Sequence, residues 1–205
     1  MAKRIGLART ETLIENLKRE ISLSSGAGSS TAANITGFGP GWVTTNDCKA
    51  PTISNINGVI VTKLFIDLEG NTSKNDVDDV IGNASGGAAY VYKHENAIGG
   101  FFQSMTVQCI ETPTTGADDI DFRISASATL AYDGDASGQI VLLTAAEAWE
   151  LGKHKLQTIS VSGDAIGHGG GNFDTLYMYL CSGEAVAGEY GAGKFIITII
   201  GNETF

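Results

Sequence analysis

Three groups of aspartate residues are the side chains with the clearest potential for metal chemistry. They are Asp76, Asp78 and Asp79; Asp118, Asp119 and Asp121; and Asp133 and Asp135. Clustered carboxylates suit Ca²⁺, which binds about six to eight oxygen ligands. None of the groups follows the EF-hand order of alternating acids, a glycine and a distant glutamate. The sequence therefore favours carboxylates that cap turns, as in Asp133-Gly134-Asp135, over a calcium site, and we assign no metal ligand.

Histidine, serine and phosphate-binding chemistry have no recognisable motif in this chain. The histidines, His94, His154 and His168, do not have metal-ligand spacing with one another or with cysteine, so we expect them on the surface or in turns. No G-x-S-x-G nucleophile turn is present. The glycine-rich "GAGSST" lacks the lysine of a P-loop, and "GHGGGN" precedes a strand rather than a helix. We therefore expect no catalytic residue and no cofactor, and we do not expect an enzyme.

The cysteines indicate the compartment in which the chain folds. The chain has three cysteines, which is an odd number: Cys48, Cys109 and Cys181. They are widely spaced and contain no C-x-x-C pair. Cys109 and Cys181 lie within apolar, strand-like runs, where a free thiol behaves as a small buried apolar group. An apolar environment raises a thiol's pKa, so neither is expected to be a nucleophile. Free thiols fit folding in a reducing cytosol.

Charge is distributed unevenly along the 205 residues. Residues 1–21 hold five basic and three acidic residues, a net +2, so the rest of a chain of net charge −10 carries −12. An acidic body argues against nucleic acid as a partner, because binding phosphates requires concentrated lysine and arginine. No apolar run approaches the roughly 20 residues of a membrane-spanning helix, so no membrane partner is expected.

The first 23 residues have the apolar periodicity of an amphipathic helix. Leu7, Ile14 and Ile21 are seven residues apart, and Leu17 follows Ile14 by three; we call these four residues the leader stripe. The stripe can pack on the chain's own body or on a neighbouring subunit. It can also form a coiled coil, although two of three d positions, Thr10 and Ser24, are polar.

Changes in amino-acid composition along the chain predict three parts. Residues 1–23 form the N-terminal helix, residues 24–56 a Ser/Gly/Thr-rich extended arm, and residues 57–205 a β-sandwich domain. Few arm residues can build a core, so we expect the arm to be ordered by what it lies against, with Trp42 and Val43 as its anchor.

The sequence of the body predicts a series of strands separated by turns. "NGVIVTKLFIDLEGN", "FFQSMTVQCI", "FDTLYMYLCSG" and "GKFIITIIGN" are rich in β-branched and aromatic residues and are flanked by glycine or asparagine. Two short helices are expected: one in "TSKNDVDDVIG", ending at Gly82, and one in "TAAEAWELG", with a Thr144–Glu147 capping box and Gly152 as its end. The fold class is therefore mainly β, an antiparallel β-sandwich or jelly-roll-like body with short helices, preceded by the helix and the arm.

The leader "MAKRIGLARTETLIENLKREI" resembles the opening of virion structural proteins of marine tailed phages, including cyanophages. In these proteins a "KRIG-x-AR…IENLKRE" segment precedes unrelated β-rich bodies. The segments "NGVIVTKLFIDLEG", "CIETPTTGADDIDF" and "AGEYGAGKFIITIIG" also resemble a recurring phage structural protein type. The resemblance implies a particle protein of the capsid decoration or cement type, and it carries over no functional residue.

Together these observations predict a decoration or cement subunit on the capsid surface of the virion. Its partners would be shell proteins and its own copies in a dimer or trimer, and its proposed interface residues are Leu7, Ile14, Leu17, Ile21 and Trp42. An alternative is a fibre, spike or tail-associated receptor-binding protein that uses loop 163–172 with Tyr177 and Tyr179. A major shell subunit is less favoured, because the chain lacks strand–helix alternation.

Overall fold

A computed structural model describes residues 37–45, 47–84, 86–158 and 175–203. The predicted helix of residues 1–23 and the first part of the predicted arm lie outside these residues, as does loop 163–172. Among the described residues the chain is mainly β and its main sheets are antiparallel, which confirms the predicted fold class for the body.

Eleven strands and one short helix make up the regular structure of the described residues. The strands are β1 (Lys49–Ile56), β2 (Val59–Asp67), β3 (Thr72–Ser73), β4 (Tyr92–Glu95), β5 (Phe101–Thr114), β6 (Ile120–Ser125), β7 (Ile140–Leu143), β8 (His154–Thr158), β9 (Thr175–Ser182), β10 (Gly188–Glu189) and β11 (Ala192–Asn202). The helix, α1 (Asn96–Gly99), joins β4 to β5.

The strands form two main sheets that pack face to face. A five-stranded sheet has the order β1-β2-β11-β5-β8, and a four-stranded sheet has the order β4-β9-β6-β7. β3 and β10 pair with each other in a small ribbon. One hydrophobic cluster contains inward side chains of both main sheets, such as Leu64, Phe195 and Met105 from the first and Phe122 and Met178 from the second. The arrangement is a β-sandwich.

The alternation of buried and less buried residues shows which side chains of the central strands face the core. In β11, residues 193 to 201 are buried at every second position, and Phe195, Ile197 and Ile199 point into the sandwich. β2 shows the same period of two, with Leu64 and Ile66 on the inner face. Each such side chain contributes about 1.5–3 kcal/mol through burial, so a shift of one residue in register would be costly.

The central strand β6 of the four-stranded sheet is buried on both of its faces. All six residues of β6 are buried, because a layer of loops covers the face that points away from the five-stranded sheet. Val80, Ala89 and Ala136 from those loops form a second cluster with Tyr179 and Cys181 of β9. The body therefore has three layers, with the four-stranded sheet in the middle.

Neither helix expected from local sequence forms. Residues 144–150 contain no helical turn, the chain turns only after them at Leu151 and Gly152, and residues 75–78 form bends and turns. The Thr144–Glu147 capping box is overridden because Trp149 is fully buried and its Nε1–H donates to the Ile120 carbonyl at 2.9 Å. The backbone N–H groups of the segment make long-range contacts instead, Trp149 to the Asp118 carbonyl at 2.9 Å and Ala145 to Asp121 Oδ1 at 2.8 Å, and tertiary contacts outweigh the local preference.

The folded body begins earlier than the predicted boundary at residue 57. β1, which was expected to be part of the arm, pairs with β2 as an antiparallel edge strand. Upstream of it, the Gly39 N–H donates to the Tyr90 carbonyl at 2.7 Å and the Gly41 N–H to the Ala88 carbonyl at 2.8 Å. Residues 39–41 and β1, within the predicted arm of residues 24–56, are therefore joined to the body by long-range pairing, which composition does not reveal.

No helix within the described parts of the chain is long and apolar enough to cross a bilayer.

A Gly41→Ala substitution should destabilise the body, because a Cβ at residue 41 would overlap the Gly87 carbonyl oxygen, which is backbone and cannot rotate away. Overpacking of this kind costs about 1–3 kcal/mol, and we expect the free energy of unfolding in urea to fall by that amount. Gly37→Ala is the matched control, since nothing lies within 4 Å of a Cβ there. Equal midpoints for both variants would contradict the close packing of this segment.

Candidate functional site

The predicted interface residues divide between the described and undescribed parts of the chain. Leu7, Ile14, Leu17 and Ile21 lie outside the described residues, so the leader stripe stays a prediction. Trp42 is described and is 4% exposed in the main hydrophobic cluster of its own chain. Little of its indole is left to meet a second subunit, and its position is that of an internal anchor.

Trp42 and Val43 fasten the entry segment to the sandwich, as expected for an anchor. The Phe38 ring stacks on the Trp42 ring with centroids 6.3 Å apart. The Val43 N–H donates to Asn71 Oδ1 at 2.9 Å, and Asn71 Nδ2 donates back to the Val43 carbonyl at 3.1 Å. Thr45 Oγ1 donates to Asp67 Oδ2 at 2.6 Å. These contacts fix where the chain upstream of Phe38 leaves the body.

The first and third aspartate groups act as turn and loop supports, as the sequence predicts. Asp135 accepts the Ser137 N–H at 2.7 Å, and the pKa of the carboxyl is lowered first by a hydrogen bond from the Ser137 side chain and then by this backbone contact. Asp133 pairs with Lys74 at 2.8 Å. Asp78 pairs with Arg123, whose Nη1 also donates to the Ala136 carbonyl at 2.9 Å. Arg123 thus ties two loops of the outer layer to β6.

The second aspartate group meets a glutamate that sequence proximity could not reveal. Glu184 Oε1 accepts the Asp118 N–H at 2.8 Å and lies 3.5 Å from the Asp119 nitrogen. The pKa of Asp118 is raised first by burial and then by the charge of Glu184. The pKa of Asp119 is raised by burial, then by the charges of Asp121 and Glu184. The group is electrostatically crowded, with Asp121 held by the Ala145 N–H at 2.8 Å.

Metal binding and thiol chemistry find no support in the geometry of the described residues. No group of three or more His, Cys, Asp or Glu side chains in that part of the chain could hold a metal ion. Cys109 and Cys181 are buried free thiols, as predicted. Burial raises the pKa of Cys109 and of Cys181, which keeps both in the thiol form at neutral pH.

His94 is a core residue rather than the surface or turn histidine that we expected. It is 3% exposed, and its ring lies between the rings of Tyr92 and Phe102, at centroid distances of 6.0 and 5.7 Å. Its Nε2–H donates to the Gly100 carbonyl at 2.9 Å. Burial lowers the pKa of the imidazole, so the ring is neutral and supports the corner at α1.

The tyrosines suggested for receptor binding belong to β9 and lie on the side of the four-stranded sheet that the loops cover. Tyr179 is fully buried and its hydroxyl donates to the Ser127 carbonyl at 2.9 Å. Tyr177 is half-buried against Tyr90, with ring centroids 5.0 Å apart. Tyr179 therefore packs within the fold, and Tyr177 alone of the two has surface left for a ligand.

An apolar surface that sequence reasoning missed is the outward face of the five-stranded sheet. The register of β2 with β1 and β11 places Ile56, Val59, Val61, Phe65, Ile196 and Ile200 on this side; we call it the outer sheet face. Ile56 is 51% and Val59 40% exposed, and the other four are half-buried. The signal was present: "VIVTKLFI" and "FIITII" are apolar at both alternate sets of positions, which indicates strands covered on both faces.

Replacing Glu184 by glutamine should flatten the pH dependence of stability. The pKa values of Asp118 and Asp119 are raised in the folded state, so these groups favour the folded state below their unfolded pKa, and this contribution is lost as pH rises through the folded pKa. Glutamine keeps the Oε1 acceptor and removes the repelling charge. The variant should therefore exceed the wild type in free energy of unfolding by more at pH 7 than at pH 4, as measured by urea unfolding.

Glu189→Gln removes the same charge at an exposed residue of β10 and serves as the control. A Glu184→Gln variant with the same pH profile as the Glu189→Gln variant would contradict the crowding of this carboxylate group.

Comparison of the chain with protein-family models, with curated proteins and with solved structures finds no match in any of the three.

Proposed function

We propose that the protein is a structural subunit of a phage particle, a capsid decoration or cement protein that binds shell proteins and copies of itself. The observation that carries the proposal is the outer sheet face, an exposed apolar surface on an otherwise acidic body. Surfaces of this kind mark protein–protein contacts. The likeness of the leader to those of marine tailed-phage virion proteins, described above, supports the particle as the place of assembly.

In this role the protein acts by adhesion rather than by catalysis. Each subunit contributes a modest buried area at one of many equivalent positions, and the symmetry of the particle repeats that contribution. The leader stripe supplies a contact with the shell, and the Trp42–Val43 anchor transmits it to the body. The acidic surface keeps unassembled subunits soluble in the host cytoplasm.

The copy number of the protein in purified particles tests the proposed component. A decoration or cement subunit should be present at hundreds of copies per particle, since it occupies equivalent positions over the shell. Quantitative mass spectrometry against the shell protein measures the ratio. A few copies per particle would instead favour the fibre, spike or tail-associated receptor-binding alternative, and absence from particles would overturn both.

The double substitution Ile14→Asp with Leu17→Asp should abolish incorporation into particles. It places two charges on the leader stripe, where burial of an unpaired carboxylate is unfavourable. Incorporation of the variant is measured by labelling it and recovering particles by sedimentation, with at least about a tenfold loss expected.

Thr12→Asp with Asn16→Asp is the matched control, because it adds the same charge on the opposite side of the predicted helix. Normal incorporation of the stripe variant would show that these residues are not a shell contact.

A further inference from the structure

The outer sheet face is broad enough to serve as a complete interface. Its five strands, at about 4.8 Å spacing and with lengths of 5 to 14 residues, cover about 650 Å² where they pair. Each partner in a standard protein–protein interface contributes about 600 to 1,000 Å². At one end of this face Thr45 and Asp47 contact Asp67 and Lys194, and at β1 and β2 the exposed fractions of Ile56 and Val59 leave it open.

Charge distinguishes the outer sheet face from the rest of the molecule. Lys49 and Lys63 are its exposed charges near β1, and Lys194 lies 3.0 Å from carboxylates of both Asp47 and Glu111. The register also places Asp67 on this side, opposite Lys194, so three lysines and three carboxylates cancel and this face is close to neutral on a chain of net charge −10. Two copies repel through most of their surfaces, and a neutral apolar face is where they can approach.

The sheet edge at β1 is a poor alternative for association. Pro51 has no N–H to donate, and the pairing of β1 with β2 shifts register between Lys49 and Thr52. Proline and irregular pairing at an edge are features that prevent another strand from adding there. The face of the sheet, rather than this edge, is therefore available to a partner.

We propose that the outer sheet face binds the same face of a second copy, so that the subunit is a two-fold symmetric dimer. A nearly neutral surface, with apolar side chains on β1, β2 and β11 and polar ones such as Thr106 and Gln108 on β5, can meet its own copy, as an isologous contact requires. The two sheets would pack about 10 Å apart, as sheets do within a sandwich. Ile196 and Ile200, on the central strand β11, lie at the centre of the contact.

The test measures the mass of the isolated full-length chain by light scattering and sedimentation over a concentration series. The wild type should be a dimer, and the double variant Ile196→Lys with Ile200→Lys should weaken the dimer by more than about 100-fold. Circular dichroism and thermal unfolding confirm that the variant is folded. Val77→Lys with Val186→Lys is the control, because these exposed valines lie outside the outer sheet face and should leave the dimer intact.

Three outcomes would overturn the inference: a monomeric wild type, a dimer that the Ile196/Ile200 variant leaves intact while folded, or a dimer that Ile14→Asp with Leu17→Asp dissociates. The last would assign self-association to the leader stripe. The dimer refines the proposed assembly role, but its test uses no particles. Failure of dimerisation is thus distinguishable from failure of incorporation.

Discussion

A group of three aromatic rings holds the body together at the point where its two sheets meet. Phe122 of the four-stranded sheet, Phe195 of the five-stranded sheet and Trp149 of the segment between β7 and β8 meet edge to face, with centroids 5.4 to 6.1 Å apart. Such contacts add about 0.5–1.5 kcal/mol per pair beyond the area that they bury. Because each ring comes from a different part of the chain, this group fixes the sheets and their connection relative to one another.

The polar contacts around Trp149 explain how an irregular segment can carry a buried aromatic ring. Its indole N–H and its backbone N–H donate to the carbonyls of Ile120 and Asp118, both at 2.9 Å. The ammonium groups of Lys153 and Lys155 lie 5.8 Å from the ring centroid. Buried backbone groups outside helices and strands need such partners. The segment from Asp118 to Asp121 thus supports the core through its backbone carbonyls and through the Asp121 carboxylate, which accepts the Ala145 N–H.

The sequence predicted features that depend on neighbouring residues and missed those that depend on distant ones. The strands at "VIVTKLFID" and "FIITII" follow from local β-propensity, and the burial of Cys109 and Cys181 follows from their apolar runs. The helix expected from Thr144 and Glu147 failed because Trp149 is required in a core built from other strands. β1 was missed because a polar strand becomes recognisable only through its partner β2. Glu184 meets Asp118 from 66 residues away, a proximity that spacing cannot reveal.

The two faces of the five-stranded sheet show how one strand can serve both folding and association. In β11 the inward residues Phe195, Ile197 and Ile199 are fully buried, whereas Ile196 and Ile200 alternate with them on the outer side. The stability of the sandwich depends only on the inward apolar residues of β11. Solubility would favour polar residues at its outward positions. Isoleucine at outward positions is therefore a cost to an isolated acidic subunit. That cost is offset when the face is covered, as it would be in the proposed dimer.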